Sequence, residues 1–495
     1  MSRLTIYFTS DTHGYLYPCD FATGRRSHRG LLAMRFPKDE NTLIIDGGDT
    51  IQGSPLTYFG WATGRKIPVA AALNARGYDY VTLGNHDFNY GRDALESYLG
   101  ELKARCLCAN VRDEKGKMPI LPGTVHVMGN GLRVGLVGIV TDWVNLWSPP
   151  ECLEGLTISD PLAAAREAIA ALPPYDVLVG IYHGGIERDL ATGRLLSDTD
   201  ENIACRLCEE LPFDLLLTGH QHIALAGGEW NGVHIVQTPC NATKYIRVEM
   251  DEAGHFTSAL VDVPDEAELT AEEAGILEDL NRWLDQPIGH LSHALWPEED
   301  RARMAMEGSG IADLFNLVQL DASGADLSCT FLGNNVRGFD REVTVRDVVA
   351  SYEYSNTLVV LQVTGKQLRM ALEQCASYFA REGENYVVSE DFLRPKLAHF
   401  NYDFFSGIEY TFDLRRPVGS RVTEILRDGK PVRDTDKLTL CLCDYRATGA
   451  GGFDFYKECP VVRLIQRDMI EMILDYFREH DLVRLPEDHG IRAIR

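Results

Sequence analysis

Residues 83–91 read LGNHDFNYG. The run before them, YDYVTL (78–83), is β-branched and aromatic and predicts a strand, while RDALESYLGEL (92–102) has helical apolar spacing. A strand-to-helix turn needs a glycine and one Asn or Asp to bend the chain. Here an amide, an imidazole and a carboxylate follow one another as Asn85, His86 and Asp87, with Asn89 close behind. A helix-capping side chain accounts for one of them. The rest of the chain decides what the others do.

The same event recurs four times. LTIYFTS (4–10) runs into Asp11-Thr12-His13, and TLIID (42–46) into Gly47-Gly48-Asp49. DVLVGIY (176–182) runs into His183-Gly184-Gly185, and DLLLTG (214–219) into His220-Gln221-His222. Helical patterns lie between, among them PVAAALNARG (68–77), DPLAAAREAIAAL (160–172) and DENIACRLCEEL (200–211). Strands alternating with helices predict a largely buried α/β sheet. Ligands bind such sheets beyond the carboxyl ends of the strands. Every polar cluster falls at such an end, so residues far apart in sequence are expected to meet.

The set that meets is Asp11, His13, Asp49, Asn85, His183, His220 and His222, with His86 beside them. Imidazoles and carboxylates with one amide suit Zn, Mn, Fe or Co and not a calcium cage. They exceed the needs of one ion, so two divalent ions are expected, with a carboxylate able to bridge. A single Asp-x-His or Gly-Asp has ordinary structural explanations. All five clusters at strand ends together do not.

Composition narrows the partners. At 495 residues and 45% hydrophobic, the chain is large enough for two or more domains. Its net charge of −25 argues against a nucleic-acid polymer or an anionic membrane. An anionic small substrate needs local positive charge, which metal ions would supply. The start, MSRLTIYFTSD, enters a strand directly, and there are twelve cysteines. Free thiols and a cytoplasmic location are the expectation from these two features. His126, His234 and His399 belong to no constellation and read as structural.

The order D-x-H, G-G-D, G-N-H-D, His-Gly-Gly and G-H-x-H resembles the calcineurin-like metallophosphoesterases. The chain has GGDTIQGS where protein Ser/Thr phosphatases carry an Arg-containing G-D-x-x-D-R-G. In the second half NNVRGF, SYEYSNTLVVLQVTGKQL, NYDFFSGIEYTFDL and YRATGAGGF are similar to the C-terminal domain of the 5'-nucleotidase and 2',3'-cyclic-nucleotide phosphodiesterase family. The resemblance implies an α/β protein with an N-terminal αββα metallophosphoesterase sandwich over residues 1–265. A linking segment at 266–290 would follow, its helix about 268–284, and then an α/β nucleotide-binding domain at 291–495. It implies a phosphohydrolase acting on 2',3'-cyclic nucleotides or on 3'- or 5'-monophosphates. The alternatives are a general phosphoesterase on non-nucleotide esters and a non-catalytic nucleotide sensor.

By the same resemblance one ion is held by Asp11, His13, Asp49 and His222, the other by Asp49, Asn85, His183 and His220, with Asp49 bridging. His86 would face the phosphate as imidazolium, with Asn89 orienting it. The 5'-nucleotidases typically read N-H-E-F-D, and this chain reads N-H-D-F-N, closer to the cyclic phosphodiesterase and 3'-nucleotidase branch. Tyr354 and Tyr445 would hold the base with Asn356 at its edge, and Asn335, Arg337 and Arg446 would line the cleft. Gly449, Gly451 and Gly452 read as loop-shaping residues.

Overall fold

Each of the apolar runs that ends in a polar cluster pairs in parallel with another. The computed structural model describes residues 3–196, 200–352, 356–394, 397–465 and 467–495. Two units are present, Met1–Asp20 with Gly24–Leu280, and Phe21–Thr23 with Asn281–Arg495.

In the first unit a seven-stranded sheet runs in the order Phe256–Asp262, Lys244–Met250, Leu4–Thr9, Thr42–Asp46, Tyr80–Val81, Arg105–Leu107, Ile120–Leu121. A six-stranded sheet runs Leu225–Trp230, Val233–Gln237, Leu215–Thr218, Val177–His183, Arg133–Val140, Gly123–Val127. In the seven-stranded sheet the strands from Leu4–Thr9 to Ile120–Leu121 are parallel and the two at the other edge antiparallel, while the six-stranded sheet is parallel inside and antiparallel at both edges. Alternation puts Leu4, Ile6 and Phe8 on one face of the first strand. They join Leu43 and Ile45 against Leu136, Val179, Ile181, Leu215, Leu217 and Val236 of the other sheet. Each such buried side chain contributes about 1.5–3 kcal/mol. The far face of the six-stranded sheet, with Val137, Ile139, Leu178 and Leu216, packs on Leu162, Ala165, Ala204 and Leu207 from helices Pro161–Ala171 and Ala204–Glu210. Helices Val69–Arg76 and Gly91–Glu101 are crossovers between parallel strands of the first sheet.

The strand expected over 78–83 is shorter. Only Tyr80 and Val81 pair, with Ile45 and Asp46, because the neighbouring strand ends at Asp46. Thr82 still donates its N–H to the Asp46 carbonyl, and the chain then leaves for the loop that carries Asn85, His86 and Asp87.

The units divide between Leu280 and Asn281, inside helix Ala271–Leu284. Thr270 and Glu273 start that helix by exchanging side-chain to backbone hydrogen bonds. The second unit has a five-stranded mixed sheet ordered Asp403–Ser406, Leu327–Phe331, Lys437–Cys443, Leu358–Thr364, Val461–Ile465. Helix Gly310–Ser323 packs on its first two strands. All twelve cysteines are free. Among the described residues no helix is long and apolar enough to cross a membrane.

Candidate metal centre

The carboxyl ends of the parallel strands deliver the candidate ligands to one place. Asp11 and His13 follow Leu4–Thr9, and Asp49 follows Thr42–Asp46. His183 ends its strand, and His220 and His222 follow Leu215–Thr218. Asn85 and His86 sit in a short helical turn, Asn85–Phe88. Nine non-glycine residues among those described have positive φ, and five of them are Asp11, His13, Asp49, His220 and His222. That conformation costs of order 1–3 kcal/mol at a residue with a Cβ, so the surrounding fold holds these side chains where the local backbone would not.

Donor atoms of Asp11, His13 and His222 lie within 4.8 Å of one another, as do those of Asp11, Asp49 and His183. His183 Nδ1 is 2.7 Å from the Gly47 carbonyl oxygen and donates to it, which turns the Nε2 lone pair inward. That nitrogen is 3.2 Å from Asn85 Oδ1 and 3.2 Å from Asp49 Oδ2. Asp49 Oδ2 is buried and has no hydrogen-bond partner. With His183 in that tautomer a lone pair, an amide oxygen and a carboxylate oxygen face one point, an arrangement of acceptors that suits a cation. His13 Nδ1 likewise donates to the Gln52 carbonyl at 2.9 Å, leaving Nε2 3.1 Å from His222 Nε2. Burial disfavours a charged His183, yet Asp49 lifts its pKa to about 9, so a proton on Nε2 takes the place of a metal ion when none is bound and the two compete for that lone pair. These residues fit divalent ions.

The side chains of the 83–91 loop divide between two tasks. Asn85 and His86 enter the centre, the His86 ring 5.4 Å from the His13 ring. Asp87 turns the other way and accepts four backbone N–H groups: Gly84 at 2.8 Å, Asp49 at 2.9 Å, Thr50 at 2.8 Å and Ile51 at 3.0 Å. It fastens this loop to the Gly47-Gly48-Asp49 loop. The two approach so closely that a Cβ on Gly48 would lie 2.3 Å from Gly84 N, and one on Gly84 would lie 2.2 Å from Asp49 Oδ1. Asn89 places Nδ2 3.1 Å from His86 Nδ1. Burial pushes the His86 imidazole down to about 4 against the pull of Asp49. The Asn89 amide faces Nδ1, an arrangement that suits a neutral ring with its proton on Nε2, where the sequence suggested an imidazolium.

Two neighbours carried no signal in the sequence. Glu201 Oε1 lies 2.9 Å from His220 Nε2, and the Trp147 ring stacks on His220 at 5.3 Å. Glu201 falls in a run that reads as the start of a helix, where an acidic residue is an ordinary cap.

In the second unit Tyr445 is 40% exposed, edge-on to Phe331 and Phe400. Neither phenylalanine was singled out from sequence. Tyr354 lies outside the described residues. Asn356 is buried, its amide 3.3 Å from Tyr352 Oη, while Asn335 and Arg337 are exposed. Arg446 is buried beneath Tyr445, its guanidinium paired with Asp403 through two bonds of 2.8 Å and donating to the Phe400 and Ala450 carbonyls. Its charge is already matched inside the domain, so it supports the aromatic cluster and does not line a cleft. Gly451 closes over it, with no room for a Cβ beside Nη1. His126, His234 and His399 each hydrogen-bond one hydroxyl, of Tyr80, Ser258 and Tyr378.

Residues 4–224 match the family model of the calcineurin-like phosphoesterases, which defines the class of the first unit. Residues 287–458 match that of the 5'-nucleotidase C-terminal domain. The fold is shared with a crystallised Staphylococcus aureus protein provisionally described as a 5'-nucleotidase, solved with alpha-ketoglutarate. It is 31% identical, with a TM-score of 0.79 and 99% of each chain covered. A 2',3'-cyclic-nucleotide 2'-phosphodiesterase/3'-nucleotidase of Salmonella typhimurium is 23% identical over 90% of this chain and 81% of its own length. The trifunctional nucleotide phosphoesterase protein YfkN of Bacillus subtilis is 23% identical over 99% of this chain, which spans only 38% of that protein. The chain belongs to the 5'-nucleotidase family of calcineurin-like phosphoesterases.

Asp87 is the test of the loop geometry. Asp87→Ala leaves four buried N–H groups without their acceptor, at about 1–3 kcal/mol for each that stays unsatisfied. Thermal unfolding of the metal-free protein should show a loss of at least about 3 kcal/mol, with Asp87→Asn intermediate. An unchanged melt would mean that the loops are held by something else.

Proposed function

We propose that the chain is a metal-dependent phosphohydrolase whose substrates are nucleotides: 2',3'-cyclic nucleotides, 3'-monophosphates or 5'-monophosphates. The observation that supports it most is the convergence of buried lone pairs and carboxylate oxygens on the orphaned Asp49 Oδ2. In this reading Asp11, His13, Asp49 and His222 hold one divalent ion of the Zn, Mn, Fe or Co kind. Asp49, Asn85, His183 and His220 hold a second. The first unit carries the chemistry and the second recognises the nucleoside. The relatives described as a cyclic phosphodiesterase/3'-nucleotidase and as a 5'-nucleotidase support the substrate class.

Two such ions supply Lewis acidity toward phosphoryl oxygens and acidify an attacking water. The chain's own groups do the rest. Gly47 and Gln52 carbonyls fix the tautomers of His183 and His13, so both rings present Nε2 to the centre. His86 is a neutral donor: its Nε2–H offers a hydrogen bond to a phosphoryl oxygen, which strengthens as charge builds there. Asn89 keeps it neutral by occupying Nδ1. Tyr445, backed by Phe331 and Phe400, offers a half-exposed aromatic face to a base.

One preparation separates a nucleotidase from a general phosphoesterase. Chelation should abolish hydrolysis of adenosine 2',3'-cyclic phosphate, 3'-AMP and 5'-AMP, and Mn²⁺ should restore it. In Tyr445→Ala, loss of stacking worth about 1–3 kcal/mol should raise KM for nucleotides roughly 5- to 150-fold. p-Nitrophenyl phosphate has no base and should respond little. Equal losses on both substrates would assign the tyrosine to packing and favour the general phosphoesterase.

The role of His86 is read in the pH profile. Asn89→Asp sets a carboxylate beside Nδ1 and raises the imidazole pKa from about 4. If neutral His86 is the working form, protonation then removes it at higher pH, and the acid limb of kcat/KM moves upward. An upward move of the alkaline limb would make imidazolium the active form, and an unchanged profile would take His86 out of the reaction.

A further inference from the structure

We infer that Glu201 is a positioning residue for the second metal position, fixing His220 in the tautomer that coordinates through Nδ1. The inference rests on the metal assignment proposed above and names a residue in that site outside the ligand set. Glu201 Oε1 lies 2.9 Å from His220 Nε2. A carboxylate accepts and does not donate, so the His220 proton sits on Nε2 and Nδ1 is left with its lone pair. Nδ1 is 2.8 Å from Asn85 Oδ1, an acceptor at hydrogen-bond distance. Two acceptors facing at that distance repel unless a cation lies between them. The same Asn85 oxygen is approached by the His183 Nε2 lone pair. Glu201 therefore settles which His220 nitrogen belongs to the centre, as the Gly47 carbonyl does for His183.

The position of Glu201 is itself built. Its carbonyl oxygen accepts from Thr141 Oγ1 at 3.0 Å and from Tyr182 Oη at 3.2 Å, at the carboxyl ends of two adjacent parallel strands. Ile203 N donates to the same Tyr182 hydroxyl. Glu187 accepts from Cys205 N and Arg206 N at the start of the helix that follows. The backbone at and just after Glu201 is thus tied to the sheet that carries His183. Trp147 covers the His220 ring face while Glu201 holds its edge. The His220 backbone N–H donates to both Asp11 oxygens at 2.9 and 3.1 Å, so this histidine is located at backbone, edge and face at once. An incidental surface ion pair has no need of that.

Loss of a carboxylate behind a metal-bound histidine typically costs 10–100-fold in metal affinity. The experiment is a Mn²⁺ titration of the metal-free full chain by calorimetry, following the two binding steps in wild type, Glu201→Ala and Glu201→Gln. Glu201→Ala should weaken one step 10–100-fold and leave the other unchanged. Glu201→Gln, which keeps an acceptor oxygen, should recover much of the loss. The metal-free melting temperature of both variants should match wild type, since Glu201 is not in the core. An unchanged isotherm in Glu201→Ala would overturn the inference, as would equal weakening of both steps. Because the readout is binding, a wild type that binds two ions but hydrolyses no nucleotide would refute the proposed substrate class and leave the role of Glu201 standing.

Discussion

The Asp87 carboxylate is the joint on which the centre depends. Its four backbone N–H partners come from two loops at the ends of adjacent parallel strands. The loop of Asp49 has no regular structure, and Asn85 has only the single helical turn Asn85–Phe88 to position it. Burial pushes Asp87 up to about 6, with nearby Asp49 adding to it, and the amides of Gly84, Thr50 and Ile51 work against that rise. A buried carboxylate so surrounded is rigid, and its rigidity passes to Asp49 directly and to Asn85 two residues away. Glycine at positions 48 and 84 lets the loops close to that distance.

The centre is the least self-sufficient part of a stable sandwich. Strained backbone at five candidate ligands and an orphaned carboxylate oxygen both oppose folding. The apolar core between the sheets, with Ile6, Phe8, Leu43, Ile181 and Leu217 fully buried, offsets them. Placing the strain at strand ends keeps it out of that core. A chain with a net charge of −25 also needs concentrated positive charge to receive an anionic substrate. On the proposed function, the carboxylates and imidazoles of the centre would gather it from solution as metal ions.

Much of this was legible in the sequence because the signal was a repeated coincidence of strand end and polar cluster. Asp11, His13, Asp49, Asn85, His183, His220 and His222 meet because parallel strands bring their carboxyl ends together. Local pattern could not show which polar groups face inward. Asp87 and His86 are neighbours with the same polarity, and only the three-dimensional turn sends one to the backbone and the other to the centre. Glu201 passed unmarked inside the helical run DENIACRLCEEL because only the fold brings it to its partner His220. Arg446 read as a cleft residue because nothing local reveals Asp403, which takes its charge. Phe331 and Phe400 reach Tyr445 only through the tertiary packing of the second unit.

The central claim is that one cluster of strand-end side chains holds two divalent ions on either side of Asp49. Anomalous diffraction from crystals grown with Mn²⁺ tests it without any assay. Two peaks roughly 3.5–4 Å apart are expected, both within bonding distance of the Asp49 carboxylate, one beside His13 and His222 and the other beside His183 and His220. A single peak, or two that do not share Asp49, would contradict the account.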